Sequence, residues 1–191
     1  QGASERNLSV AIAQDDAERA LRAAHATFWL SPQTVSVGLI GPGNVGRALL
    51  AQLDDVMPGL RARARVDLRL RAIAGSRRMH LAATALAPAS AATLLGDDAA
   101  CDLDAFAAHV RASDLPHAMI IDCSASDAVA ARYADWLAAG IHIVTPNKHA
   151  GSGEWSRYAR IAEACMTGHS RFLYEATVGA GLPVIATLRN L

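Results

Sequence analysis

Val35-Ser36-Val37-Gly38-Leu39-Ile40-Gly41-Pro42-Gly43-Asn44-Val45-Gly46-Arg47-Ala48-Leu49-Leu50 changes character twice within one short stretch. An apolar run from Val35 to Ile40 stops at a G-x-G-x-x-G loop, and a helical pattern begins at Arg47. The flanks give the glycines their meaning, a strand before and a helix after. Gly41 permits a tight turn, Gly43 lets a pyrophosphate approach the backbone, and Gly46 lets the helix lie close to the strand. Unpaired N–H groups at the helix start, together with the positive dipole end, favour a bound anion. The stretch predicts a nucleotide cofactor.

Downstream, strands alternate with helices. Val66 to Ala74 forms the predicted second strand, and His117 to Asp122 is the clearest buried strand after the first. Ile141 to Val144 is another, and Arg171 to Val178 a further one. Predicted helices run from the glycine loop to about Met57, where Pro58-Gly59 ends the first, and through most of Ala89 to Asp114. Asp102 marks a helix start there. Others cover Asp127 to Ala139 and Gly151 to about Thr167, and Gly179 to Pro183 opens a last one. This order predicts an α/β fold, a Rossmann-like doubly wound parallel sheet. Before it, Leu8 to Ile12 alternates like a strand, Asp15-Asp16 caps a helix to about Leu30, and Ser31-Pro32-Gln33 breaks it. Ala17, Ala20, Leu21, Ala24 and Phe28 share one side of that helix. One strand and one helix make no core, so this is either the tail of a preceding domain or an extension packed on the main one.

Composition narrows the classes. The 191 residues suffice for one domain with a good core; 52% are hydrophobic and the formal net charge is zero. No basic block suggests a nucleic-acid partner. No apolar run reaches the roughly 18 residues that span a bilayer. Cys101, Cys123 and Cys165 are odd in number and never in C-x-x-C, which fits a reducing cytoplasm. The histidines form no H-x-x-x-H pair, so a transition-metal site is not expected. G-x-S-x-G and P-loop patterns are absent, and so is Tyr-x-x-x-Lys.

In such sheets ligands bind beyond the carboxyl ends of the strands, so the strand ends carry the candidates. Ser76 and Arg77 follow the second strand. Arginine there suits the 2′-phosphate of NADP, whereas the acid that would bind the NAD ribose is missing. NADP is therefore preferred over NAD, the bland alternative being solvated loop charges. Ser124 to Ser126 either leaves room for a cofactor or caps the next helix. Lys148 is the only lysine. At a strand end its ammonium either meets a carbonyl or carboxylate near the nicotinamide or is an ordinary solvated charge.

The segments VGLIGPGNVGRALL, IDCSASDAVAARYADWLAAGIHIVTPNKHAGSG and FLYEATVGAGLPVIATLRNL together resemble the homoserine dehydrogenase family. DCS, TPNK and EATVGAGLP in this order are more specific than the glycine motif. QGASERNLSVAIAQDDAERALRAAH looks like the end of the regulatory ACT region of an aspartokinase, as in fused bifunctional aspartokinase–homoserine dehydrogenases. The resemblance implies residues 1–34 as an ACT remnant plus linker, 35–170 as the NAD(P)-binding domain, and 171–191 as the start of a substrate domain. It implies NADP-linked interconversion of aspartate β-semialdehyde and homoserine, in threonine and methionine biosynthesis, by a protein that is a homo-oligomer when whole. Asn44, Val45, Ser124 and Lys148 would contact the cofactor. A monovalent cation, typically sodium, would bind at Glu175, Val178, Ala180 and Leu182. The acidic substrate-binding residues and the acid/base lysine would lie beyond Leu191, so these residues are expected to bind nucleotide without reducing the semialdehyde. Two other readings are a nucleotide-sensing regulatory module and an interaction fragment whose glycine loop stays empty.

Overall fold

The computed structural model describes residues 2–4, 7–9, 11–14, 17, 20, 21, 24, 33–95, 99–112, 115–179 and 182–190. Two short strands, β1 (Gly2–Ser4) and β2 (Asn7–Ser9), pair antiparallel as a separate sheet. The strand expected over Leu8 to Ile12 therefore begins one residue earlier, and residues 11–13 follow it without regular structure. Ala17, Ala20, Leu21 and Ala24 are helical, and Leu21 is exposed. Val10, the Asp15-Asp16 cap, Phe28, Leu30 and Ser31-Pro32 lie outside the described residues.

The main sheet has the order β5-β4-β3-β6-β7-β8, built from β3 (Thr34–Ile40), β4 (Asp67–Ala74), β5 (Met79–Leu81), β6 (His117–Asp122), β7 (Ile141–Val144) and β8 (Phe172–Leu173). All neighbours run parallel except β5, a short edge strand antiparallel to β4 that the sequence reading did not foresee. The chain leaves β3 for β4 on one side and later returns across it to β6 on the other. That reversal sends the connections after β3 and β6 to opposite faces of the sheet, which opens a crevice beyond their carboxyl ends.

Helices cover both faces. Leu50 of α1 (Asn44–Gly59) and Ala91 of α2 (Pro88–Ala91) pack on Val37, Leu39, Leu70, Ile73 and Ile121. The opposite face, with Ala72, Ala118, Ile120, Ile141 and Ile143, is covered by α3 (Leu103–Arg111), α4 (Asp127–Ala130), α5 (Tyr133–Ala138), α6 (His149–Ser152) and α7 (Trp155–Thr167). A last helix, α8 (Val184–Arg189), follows the sheet. Asp102 caps α3 as expected, accepting from the N–H groups of Asp104 at 2.9 Å and Ala105 at 3.0 Å.

Five expected boundaries are corrected. The first helix does not stop at Met57; it passes through Pro58 and loosens into a π-type turn over Leu60–Ala64. Pro58 removes one donor and crowds the carbonyl four residues before it, and the wider turn follows directly after it. The segment Ala89 to Asp114 is not mostly helical: a 3₁₀ turn, Ala92–Leu95, and extended residues 99–102 separate α2 from α3, residues 96–98 and 113–114 lying outside the description. The helix from Asp127 breaks at residues 131–132, and the one from Gly151 begins at His149 and is interrupted at Gly153-Glu154. Finally, the strand from Arg171 ends at Leu173. Thr177 turns back on Tyr174, whose carbonyl accepts from its N–H at 3.0 Å and its hydroxyl at 2.7 Å, forming a 3₁₀ turn at Glu175–Thr177.

At the amino end of the sheet, Nδ1 of His142 in β7 accepts from the N–H of Arg171 at 3.0 Å, just before β8. Burial first, then the neighbouring His117 and Arg171, hold this imidazole below its ordinary value of 6.5. The folded state thus favours the neutral ring. Its contribution is present above 6.5 and is lost as pH falls through the lower folded value. Replacing His142→Asn keeps an acceptor without the titration. The urea midpoint is expected to fall less between pH 7.5 and pH 5.5 in the variant than in wild type, and equal falls would refute the assignment.

Candidate functional site

The glycine loop closes the end of β3 by three close approaches. The N–H of Gly41 donates to the carbonyl of Ala74 at 2.8 Å, tying the loop to the end of β4. Gly41 adopts φ +81°, and a Cβ there would fall 2.7 Å from the Ser124 nitrogen beyond β6. A Cβ on Gly46 would fall 2.3 Å from the Gly41 carbonyl oxygen, so α1 rests directly on the loop. Gly43 differs, since a Cβ there would meet nothing within 4 Å. Gly43 is also the N-cap of α1, with no side-chain cap and no acid in the first turn. An uncapped helix start beside open space fits an anionic diphosphate.

Beyond the strand ends lies an apolar cleft of about 620 Å³. Asn44 and Val45 form one wall with Leu49, and Cys123, Thr145 and Glu175 are among the residues of the other walls. The Cys123 thiol is pushed up to about 11 by burial and then by the Asp122 charge, so it stays protonated at neutral pH.

The predicted residues are thus partly gathered. Gly41, Gly43, Asn44, Val45, Gly46 and Ser124 meet at the crevice, and Glu175 joins Asn44 and Val45 in the cleft lining. Ser76 and Arg77 sit exposed on the turn after β4, next to the Ala74 carbonyl that Gly41 engages. Lys148 is exposed and forms the N-cap of α6, where its carbonyl accepts from Gly151 at 3.0 Å and Ser152 at 2.9 Å. Glu175 is a helix-capping acid here. Its Oε1 accepts from the N–H groups of Ile185 at 3.0 Å and Ala186 at 3.2 Å at the start of α8. Val178 and Leu182 are exposed, and Ala180 lies outside the described residues. Ser126 is the helix cap, accepting from Val129 at 3.3 Å, while the Ser124 hydroxyl accepts from the N–H of Ser126 at 3.2 Å.

Sequence reading missed a buried polar cluster beneath these loops. Asp122 is fully buried; its Oδ1 accepts from Ser124 N–H at 2.8 Å, and its Oδ2 from the Tyr133 hydroxyl at 2.5 Å and Asn147 Nδ2 at 3.0 Å. Burial, then the Asp122 charge, pushes the Tyr133 hydroxyl far up, so it remains a donor. The Thr145 hydroxyl donates to the Asp122 carbonyl at 2.7 Å and accepts from Asn147 N–H at 2.8 Å. The available signal was an acid closing the apolar run His117 to Asp122, which burial tolerates only with partners.

A glycine loop at a sheet reversal, with an uncapped helix start and a cleft beyond, defines a dinucleotide-binding α/β domain. The family model described as "Homoserine dehydrogenase, NAD binding domain" matches residues 41–175, and the chain belongs to that family. A chloroplastic bifunctional aspartokinase/homoserine dehydrogenase 1 of Zea mays is 44% identical over the whole chain. The bifunctional enzyme of Haemophilus influenzae is 34% identical, also over the whole chain. The chain spans only 21% and 23% of those relatives' lengths. Among solved structures, a Candida auris protein of unknown function is 28% identical with a TM-score of 0.72, over 83% of this chain and 43% of that one. A hyperthermophilic archaeal homoserine dehydrogenase in complex with NADPH has a TM-score of 0.65 at 22% identity, over 81% of this chain and 48% of its own, a likeness of fold. Among the described residues, no helix is long and apolar enough to cross a membrane.

The loop geometry separates two glycines. Gly46→Ala forces a methyl against a backbone oxygen that no rotamer change relieves, costing roughly 1–3 kcal/mol. That exceeds the helix-propensity gain of up to about 1 kcal/mol, so its thermal midpoint is expected to drop by several degrees. Gly43→Ala is expected to leave the midpoint within about a degree of wild type while weakening NADPH binding in a fluorescence titration. Undiminished binding by Gly43→Ala would remove the diphosphate from this position.

Proposed function

We propose that this chain is the cofactor-binding part of an NADP-dependent homoserine dehydrogenase within a bifunctional aspartokinase/homoserine dehydrogenase. The observation that carries this reading is the glycine loop seated against Ser124, with an open, uncapped helix start facing the crevice. The 44% identity to the maize bifunctional enzyme supports the same reading. The bound nicotinamide supplies a hydride donor or acceptor for interconverting aspartate semialdehyde and homoserine. The protein's own part is to bind and orient it. The start of α1 takes the diphosphate, with Asn44 and Val45 at the wall. Ser76 and Arg77 take the adenosine ribose and its 2′-phosphate, and Ser124 and Lys148 hold the nicotinamide half. The apolar cleft keeps water from the reacting carbon.

A monovalent cation such as sodium belongs to the same proposal, at Glu175, Val178, Ala180 and Leu182. Its support is chemical: the set offers one carboxylate and main-chain carbonyls, oxygen donors that suit a hard ion. The domain division also belongs here, with residues 1–34 from an ACT region and 171–191 leading into the substrate-binding part. A match that extends over all of the chain in the maize relative supports it. Homo-oligomeric assembly of the whole enzyme completes the reading, together with a reducing compartment, which the three free cysteines support.

Titration of the 191-residue chain with NADPH tests the proposal; no binding at millimolar cofactor would overturn it. For the 2′-phosphate, Arg77→Ala is expected to weaken NADPH about tenfold or more, the worth of a charge-assisted contact, while leaving NADH unchanged. Equal losses for both cofactors would place the 2′-phosphate elsewhere.

A further inference from the structure

We propose that Asp122, Tyr133, Thr145 and Asn147 form a positioning unit that holds Ser124 and Lys148 in one fixed relation for the cofactor. This rests on the reading above, in which those two strand ends contact the nicotinamide half.

The parallel ladder between β6 and β7 ends at Ile121 opposite Val144. Past that pair, side chains take over the pairing. Thr145 Oγ1 bonds the Asp122 carbonyl across the gap, and the Asp122 carboxylate reaches Asn147 Nδ2 from the other side. The two loops leaving the strands are therefore joined at the point where backbone pairing fails. Asn147 extends the join in both directions. Its Nδ2 also donates to the Ser126 carbonyl at 3.0 Å, and its Oδ1 accepts from His149 N–H at 3.1 Å. Lys148 thus sits between two residues pinned by one amide group, so its backbone is fixed although its side chain is exposed. On the opposite loop, Ser124 N–H is held by Asp122 Oδ1.

Tyr133 supplies the donor from below. It is wholly buried on α5 and absent from the cleft lining, so it acts on the cofactor only through Asp122 and through Thr145, whose Oγ1 lies 3.0 Å from its hydroxyl. Among the described residues no cation pairs with Asp122 within 4.0 Å, and its acceptors are met by Ser124, Tyr133 and Asn147. A carboxylate satisfied by donors from three separate segments is content in only one arrangement of them. Loss of any donor leaves a buried acceptor short and lets the loops drift.

The test uses the 191-residue chain and NADPH. Tyr133→Phe keeps the ring in the core and deletes only the hydroxyl; Asn147→Ala deletes the bridge between the loops. Ile161→Val is the control, thinning the same core face away from the network. Each protein is titrated below its unfolding transition, following nicotinamide fluorescence. Amide exchange is read at Ser124 and His149. Both network variants are expected to raise the NADPH dissociation constant about tenfold, shift the bound emission and speed exchange at those two amides. Ile161→Val is expected to stay within about twofold on affinity while its thermal midpoint falls. Network variants within twofold of wild type, or a control that loses as much affinity, would overturn the proposal with the functional reading intact. Failure of wild type to bind NADPH would overturn that reading, and this proposal with it.

Discussion

The backbone of Gly41 lies so close to that of Ser124 that neither strand end can carry bulk between them. Everything at the mouth of the sheet follows from this approach. The left-handed turn at Gly41 sends the chain over the end of β3, and its N–H fastens to Ala74 at the end of β4. Three strand ends are thereby drawn together within one turn of chain. With Gly46 pressed on the Gly41 carbonyl, α1 starts directly above that point, its uncapped N–H groups facing outward. The open, uncapped helix start proposed for the diphosphate is what remains of a packing problem solved with glycine.

A crevice this narrow needs rigid walls, and the wall under Ser124 and Lys148 is polar. Taking a carboxylate out of water costs several kcal/mol. Hydrogen bonds to a charged group contribute about 1.5–3 kcal/mol each, so the donors on Asp122 offset the burial without a large surplus. Global stability is therefore not where this cluster has its main effect. An apolar side chain would fill the same space but would accept any loop arrangement of similar volume.

The legible parts of the fold were those whose local pattern and tertiary setting agree. The apolar runs of β3, β6 and β7 lie within a residue of their expected bounds, because central parallel strands are buried on both faces. β5 is three residues long and sits on an edge, too short to show alternation. Around Arg171 to Val178 the composition favours a strand, but Thr177 bonds back to Tyr174 and spends the chain's polar groups locally. At Ala131 and Arg132 the helix gives way to a turn that sets Tyr133 beneath Asp122. Nothing between Asp127 and Ala139 announces that break, since its reason lies on a strand elsewhere. The glycine loop was readable for the converse reason, as its constraint is local. Asp122 and its partners come from three segments, and only their burial reveals them as a set.

The cleft lining also divides the chemistry. Cys123 is held protonated near neutral pH, and the Glu175 carboxylate is engaged in capping α8. The other lining residues are apolar side chains, amides and the hydroxyl of Thr145, which is committed to Asp122. Among the described residues of this lining, none is poised to exchange a proton with an alkoxide as hydride moves. For the proposed reaction the domain therefore acts as a holder, fixing the cofactor's geometry and excluding water. On the proposed reading, the proton is supplied by a group outside this lining.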